Sequence, residues 1–452
     1  MAKSRAKSKR KKGKLARIAK KRLAVLILLL ILTVIVGDAL SHYYRTAPKA
    51  VVVNPIASGT AQNVPGKVLT KTAPVVFSKD EVEAISRQNY TTYTPTPKYE
   101  VSKTVVTYRS YDTDGTPLTI HARIYQPVGL TNAPIFGFAP GTTGLASACA
   151  PSLEMPAKID LGNYESHMVT YAGQGYATVV TDYAGFLDPT RTMQPYMVGP
   201  LEGRAVLDSV RALINLDSRT KTLNTKEIFL AGYSQGGHAA LWANQIARSY
   251  APELSIKGVI GSSGAVISVD ETLEDVTQGS TLSWFGPYVL VSYTNYYHDT
   301  YPLADILLPK WVPTLTSDVL GHCINSDIAF WGANPNNVYT PQFIQALKTH
   351  TLDTAYPQLE KRMQQNNAVT VATSTPILLN GGTKDNVILP QQEANAITTI
   401  CRNNPRARAH LHEYVNATHY NTMVLSFTDT LAWMKQIRDG GTPPTDCGGD
   451  GA

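Results

Sequence analysis

One stretch constrains the fold of this 452-residue chain more than any other: KEIFLAGYSQGGHAALWANQIA at 226–247. A short apolar run ends in Gly232-Tyr233-Ser234-Gln235-Gly236, and an alanine-rich helical pattern follows. This reads as a strand, a tight turn and a helix, with G-x-S-x-G at the turn. The bend between strand and helix leaves no room for side chains at its small positions. It stands the Ser234 Oγ at the C-terminal edge of a sheet, above a helix N-terminus that favours developing negative charge. A turn of this kind marks an activated serine nucleophile.

The surroundings repeat the same rhythm. APIFGFAPGTTG (133–144) is a buried strand running into a glycine-rich loop, and GYATVVTDYAGF (175–186) and LSIKGVIGSSG (254–264) are further strands. GPLEGRAVLDSVRALINL (199–216) has apolar residues at helical spacing. Buried strands alternating with helices predict an α/β fold, a mostly parallel sheet with helices on both faces. Ahead of it, Thr104–Pro127 holds two strand-like runs around Asp114-Gly115, a hairpin signal. Residues 266–370 break the rhythm and predict an inserted helical cap. The core returns with PILLNGGTKDNVILP, a helix near EANAITTICRN, a last strand and loop at 410–420, and a final helix. The expected organisation is a basic head with signal peptide or anchor (1–40), linker and N-terminal wrapping (41–100), with a short helix near Lys79–Gln88, core (101–265), cap (266–370) and core again (371–452).

The net charge of +7 is a property of the head. Twelve Lys or Arg residues crowd the first 22 positions, leaving 29 basic against 34 acidic residues in the body. Such a body gives no electrostatic reason to expect nucleic-acid binding. At 43% hydrophobic and 17% charged, the chain is not a disordered one. The basic head precedes Leu23–Gly37, an almost wholly apolar run. That is the pattern of an export signal, with cleavage after Ala39 as one outcome and an uncleaved membrane tether as the other. Both place the body outside the cytoplasm. The four cysteines, Cys149, Cys323, Cys401 and Cys447, have no metal-ligand spacing. In an exported chain they suggest two disulfides. Of three pairings, Cys149–Cys323 would clip an insertion to the core and Cys401–Cys447 would close the tail.

A serine needs a base, and the base needs an orienting acid. In a fold of this kind they follow in the order Ser, acid, His. Asp385 sits on the loop after PILLNG, and His419 on the loop between the last strand and last helix. Asp182 ends a strand but precedes the serine, and His238, on the elbow helix, reads as helix packing. Oxyanion donors are expected from the Gln235 N–H and from the loop Gly141-Thr142-Thr143-Gly144, with Thr142 foremost. Tyr183, Trp284 and Phe285 are candidate pocket residues. No metal or organic cofactor is needed by this chemistry.

GTTG (141–144), CAPS (149–152), VVTDYAGF (179–186), GYSQGGHAALWA (232–243) and NGGTKDNVILP (380–390) together resemble the secretory lipase family of α/β-hydrolases, over roughly Thr104 to Trp433. The resemblance implies an α/β-hydrolase fold with a cap inserted before the acid, two disulfides, and hydrolysis of acylglycerols or other carboxylic esters. Carried over by position, it implies Ser234, Asp385 and His419 as triad, with Gln235 and Gly141–Thr142 as oxyanion support. The expected partners are a lipid or other ester substrate and a membrane surface. A peptidase or amidase with the same triad, and a non-catalytic tethered binding protein on this scaffold, are the competing readings.

Overall fold

The computed structural model describes residues 50–51, 64–154, 162–263 and 268–448. The basic head and the apolar run read as signal or anchor lie outside the described residues. The sheet and helices below belong to the unit that runs from Val51 onward.

Two long strands, β3 (Val101–Tyr111) and β4 (Pro117–Pro127), form the expected hairpin. The Asp112 N–H and Thr116 carbonyl close its loop, and Gly115 sits at φ +89°. Along β3 buried and half-buried residues alternate, as befits a strand with one wet face. By contrast β5 (Ala133–Ala139) and β6 (Ala177–Thr181) are buried at every residue. They occupy the middle of the sheet, where both faces are covered. With β1 (Val68–Thr72), β2 (Val75–Phe77), β7 (Leu223–Tyr233), β8 (Ile256–Ser262), β9 (Ile377–Gly382) and β10 (Ala409–Tyr414), the order is β1-β3-β4-β6-β5-β7-β8-β9-β10. β2 also pairs with β3. Pairing is antiparallel as far as β4–β6 and parallel from β6 to β10. This is the mostly parallel sheet of an α/β-hydrolase. The segment expected to be linker and wrapping differs in part, because β1 and β2 extend the antiparallel edge. The Thr- and Lys-containing run of β1 carries little apolar signal, and the apolar run of β2 is only three residues long.

Helix α1 (Lys79–Ser86) opens with a capping box: Ser78 Oγ accepts from the Glu81 N–H, and the Glu81 carboxylate accepts from the Ser78 N–H at 2.8 Å. Helices α2 (Tyr164–Gly173), α3 (Gly199–Asp217) and α4 (Gln235–Tyr250) cover the sheet. Between β8 and β9 come α5 (Val269–Glu274), α6 (Phe285–Tyr297), α7 (Leu303–Ile306), α8 (Leu315–Leu320), α9 (Ile324–Trp331), α10 (Pro341–Lys348), α11 (Leu352–Ala355) and α12 (Pro357–Gln365). The chain then supplies α13 (Pro390–Asn403), α14 (Thr422–Leu425) and α15 (Phe427–Arg438). Among the described residues no helix is long and apolar enough to cross a membrane.

Two hydrophobic clusters result. The larger includes α3, α4 and the inserted helices. The other joins Val82 and Tyr90 to α2, Met423 and α15. Disulfides link Cys149 to Cys323 and Cys401 to Cys447. The first ties the loop after β5 to the residue that caps α9. The second ties α13 to the C-terminal tail.

Candidate active site

Ser234 lies between β7 and α4 with φ 53° and ψ −118°. This left-handed backbone is strained for a residue with a Cβ. The turn is tight enough that a Cβ on Gly232 would lie 1.8 Å from the Gly236 carbonyl oxygen, and one on Gly236 1.9 Å from that of Ala139. The Ser234 N–H donates to the Ser262 carbonyl at the end of β8, at 3.0 Å. The elbow is thereby held between two neighbouring strands.

Asp385 and His419 meet although 34 positions separate them. His419 Nδ1 stands 2.9 Å from Asp385 Oδ2. The other carboxylate oxygen, Oδ1, accepts from the Val387 and Ile388 N–H groups at 2.8 and 3.0 Å. Both side chains are nearly fully buried. The carboxylate is thus fixed by two backbone amides while its second oxygen faces the imidazole. Ser234 and His419 line the same cavity, about 230 Å³ in volume, and Asp385 stands behind the imidazole.

Around the serine, the expected oxyanion residues divide. Gln235 follows the nucleophile at the first turn of α4, where helix geometry leaves backbone N–H groups without intrahelical acceptors. Its side chain turns away, and Nε2 donates to Glu202 Oε1 at 2.6 Å. Thr142 lines the cavity, its hydroxyl 2.9 Å from that of Tyr196. Gly141 departs from expectation: its N–H donates to the Tyr164 hydroxyl at 2.9 Å and is spent there. A Cβ at Gly141 would strike the Tyr233 ring at 2.6 Å, so the glycine serves packing.

Of the expected pocket residues, Trp284 and Phe285 line the cavity and Tyr183 does not. Tyr183 points into the core, where its hydroxyl donates to the Pro140 carbonyl at 2.6 Å. It secures the start of the glycine loop. Asp182, set aside as acid, is fully buried and accepts from the Ser152 N–H (2.7 Å) and Oγ–H (2.5 Å). Burial pushes its carboxyl up to about 6.

Several contributors were not anticipated. Glu202, on the buried side of α3, joins three partners. Oε1 accepts from Gln235 Nε2 and from the Met197 N–H (3.1 Å), and Oε2 lies 2.6 Å from His238 Nδ1. The opposite ring nitrogen of His238 donates to the Asn366 carbonyl at 2.7 Å. A carboxylate among the apolar residues of α3 was the available signal for this network. Asn89, Tyr164, His167, Tyr196, Met423 and Val424 also line the cavity. They arrive from segments far apart in sequence. Among the described residues, no group of His, Cys, Asp and Glu is arranged to hold a metal ion.

The family model described as secretory lipase matches residues 160–446. Lipase A of Moesziomyces aphidis is 31% identical over 180 residues, which cover 38% of this chain and 37% of that protein. The chain spans less than half the length of the curated relatives it matches. Among solved structures, the rice cell wall degrading esterase LipA from Xanthomonas oryzae superposes with a TM-score of 0.68 at 20% identity, covering 83% of this chain and 99% of that one. Candida antarctica lipase A in its closed state gives 0.65 at 22% identity, covering 87% and 86%.

Proposed function

Because the chain belongs to the secretory lipase family, we propose that it hydrolyses carboxylic esters through an acyl-enzyme on Ser234. The observation that carries this is the His419–Asp385 contact of 2.9 Å at a cavity whose wall also holds a serine in a strained elbow. Ser234 Oγ attacks the acyl carbonyl carbon while His419 Nε2 takes its proton. Asp385 keeps the ring proton on Nδ1 and stabilises the imidazolium that forms. The oxyanion develops against the Gln235 N–H, with Thr142 as second donor. His419 then passes its proton to the leaving alcohol, and water repeats the sequence on the acyl-enzyme.

The wall supports a choice of substrate. Leu282, Trp284, Phe285, Val387 and Ile388 give an apolar bed beside the serine. At about 230 Å³ the cavity is below the usual range for drug-sized ligands. Esters of short to medium acyl chains fit it better than long-chain triacylglycerols. The two disulfides and the secretory character of the family favour action outside the cytoplasm.

A p-nitrophenyl ester series from acetate to palmitate, run on wild type and Ser234→Ala, tests this reading. Activity should peak at short or medium chains and fall to background in the variant, which should also lose labelling by a fluorophosphonate. Unchanged hydrolysis by Ser234→Ala would refute the acyl-enzyme.

A further inference from the structure

Residues of both hydrophobic clusters wall the cavity. The larger cluster contributes Leu282, Trp284, Phe285, Val387 and Ile388. The other contributes Tyr164 and Met423, with Tyr233 and Val424 packed against it. With this second group stands His167, on α2 and only 3% exposed. Its Nδ1 lies 2.9 Å from the hydroxyl of Tyr90, which is 2% exposed.

A buried phenolic proton requires an acceptor. Among the described residues, His167 Nδ1 is the acceptor that the Tyr90 hydroxyl reaches. Tyr90 therefore donates to Nδ1, and the ring proton of the neutral imidazole resides on Nε2. Burial lowers the His167 pKa to about 3, so the ring stays neutral over the working range of an enzyme. Nε2 has no protein partner among the described residues. It is the polar atom the ring has left to offer the cavity.

We propose that His167 is a specificity-determining residue whose Nε2–H donates a hydrogen bond to a hydroxyl oxygen on the leaving alcohol of the ester. The proposal rests on the reading of Ser234 as nucleophile at this cavity. The acyl chain and the leaving alcohol extend in different directions from one carbonyl carbon. The apolar residues at the start of α6 suit the chain, which leaves the side bearing His167 to the alcohol. A buried donor discriminates strongly, because a substrate without an oxygen there strands it unpaired. The class of substrate selected is an ester of a polyol, glycerol being the simplest, over an ester of a plain alkyl alcohol.

The test compares kcat/KM for glycerol monobutyrate, ethyl butyrate and ethyl 3-hydroxybutyrate in wild type, His167→Phe, His167→Asn and Tyr90→Phe. Wild type should prefer the glycerol ester to ethyl butyrate. His167→Phe should cut that preference on the order of tenfold, the scale of one lost hydrogen bond. His167→Asn, which keeps an N–H donor, should restore part of it. Tyr90→Phe retains the imidazole and releases its tautomer, so the preference should fall by a smaller factor even if His167→Phe does not fold. A preference unchanged in both His167→Phe and Tyr90→Phe overturns the proposal, as does a parallel fall on all three esters. A loss confined to the 3-hydroxybutyrate overturns the assignment to the alcohol side. Wild type inert toward all three esters would instead overturn the ester-hydrolase reading itself.

Discussion

The proposed triad predicts that Asp385→Asn abolishes catalysis while leaving the fold intact, and the geometry says why. Asp385 Oδ1 already accepts two backbone N–H groups, from Val387 and Ile388. An asparagine here must keep its carbonyl oxygen on those amides, because its NH₂ group cannot accept them. The NH₂ is then turned toward His419 Nδ1, 2.9 Å from the present Oδ2. It donates to Nδ1, and the ring proton moves to Nε2. A base that already carries a proton on the nitrogen facing serine cannot take another without becoming an unsupported imidazolium. A wrong tautomer in a triad costs about 10⁴ in kcat, or about 5 kcal/mol of transition-state stabilisation.

The control is Asp385→Ala. It leaves the Val387 and Ile388 amides without their acceptor, at about 1–3 kcal/mol for each buried group. The alanine variant should therefore melt well below wild type, while the asparagine variant melts close to it. The assay is kcat/KM on a short-chain p-nitrophenyl ester, paired with thermal melts of all three proteins. Asp385→Asn within tenfold of wild-type activity would refute the tautomer reasoning. Alanine and asparagine variants that melt alike would refute the assigned role of Oδ1.

Two further predictions concern stability. Asp182 has a folded pKa raised to about 6 by burial, so folding takes up a proton between about pH 4 and 6. The native state therefore loses stability as pH climbs through that window and carries the full penalty above it, about 3 kcal/mol. In Asp182→Asn the amide oxygen can accept from the Ser152 N–H while the NH₂ donates to Ser152 Oγ, and the variant should be more stable than wild type at pH 8 by up to that amount, with the gain vanishing near pH 4; an equal gain at both pH values in urea melts would be inconsistent with this. The disulfides should separate stability from activity. Replacing Cys401 and Cys447 with serine opens a link of 46 residues' separation, worth about 4 kcal/mol of chain entropy, with kcat/KM retained below the melting point. The same change at Cys149 and Cys323 should lower both melting temperature and kcat/KM.

What was legible in the sequence was whatever a local pattern enforces. The elbow is such a case, since Gly232 and Gly236 face backbone oxygens that exclude any Cβ. So is the hairpin, whose Asp114-Gly115 bend supplies the left-handed residue the loop needs. That Asp385 and His419 would meet was reachable because chain order and loop position narrow the candidates. Direction after a strand ends was not reachable. Tyr183 lies two residues past β6, where alternation no longer tells inside from outside, and it turned to the core. Gly141 looked like a free donor because its acceptor, the Tyr164 hydroxyl, comes 23 residues later on a different element. Glu202 and His238 are 36 residues apart and meet only because α3 and α4 pack together. The strand β1 was missed for another reason. Its residues are mostly half-buried, so no apolar alternation marks it.

Those long-range contacts converge on the loop between β5 and the first cysteine. Tyr183 holds the Pro140 carbonyl, Tyr164 holds the Gly141 amide, and the Thr142 hydroxyl meets that of Tyr196. The Thr143 carbonyl accepts from the Ile324 N–H at the start of α9, and Gly144 packs against Cys149, whose partner Cys323 caps that same helix. Five consecutive residues thus have partners on several separate elements, one of them inside the inserted region. An oxyanion donor is effective only if it stands in place before charge develops. A bare glycine-rich loop would not supply that, since glycine loses the most conformational freedom on ordering. The aromatic hydroxyls and the disulfide supply the order instead, so the proposed donor at Thr142 depends on the inserted helices staying joined to the core. This is why opening Cys149–Cys323 should reach the chemistry and opening Cys401–Cys447 should not.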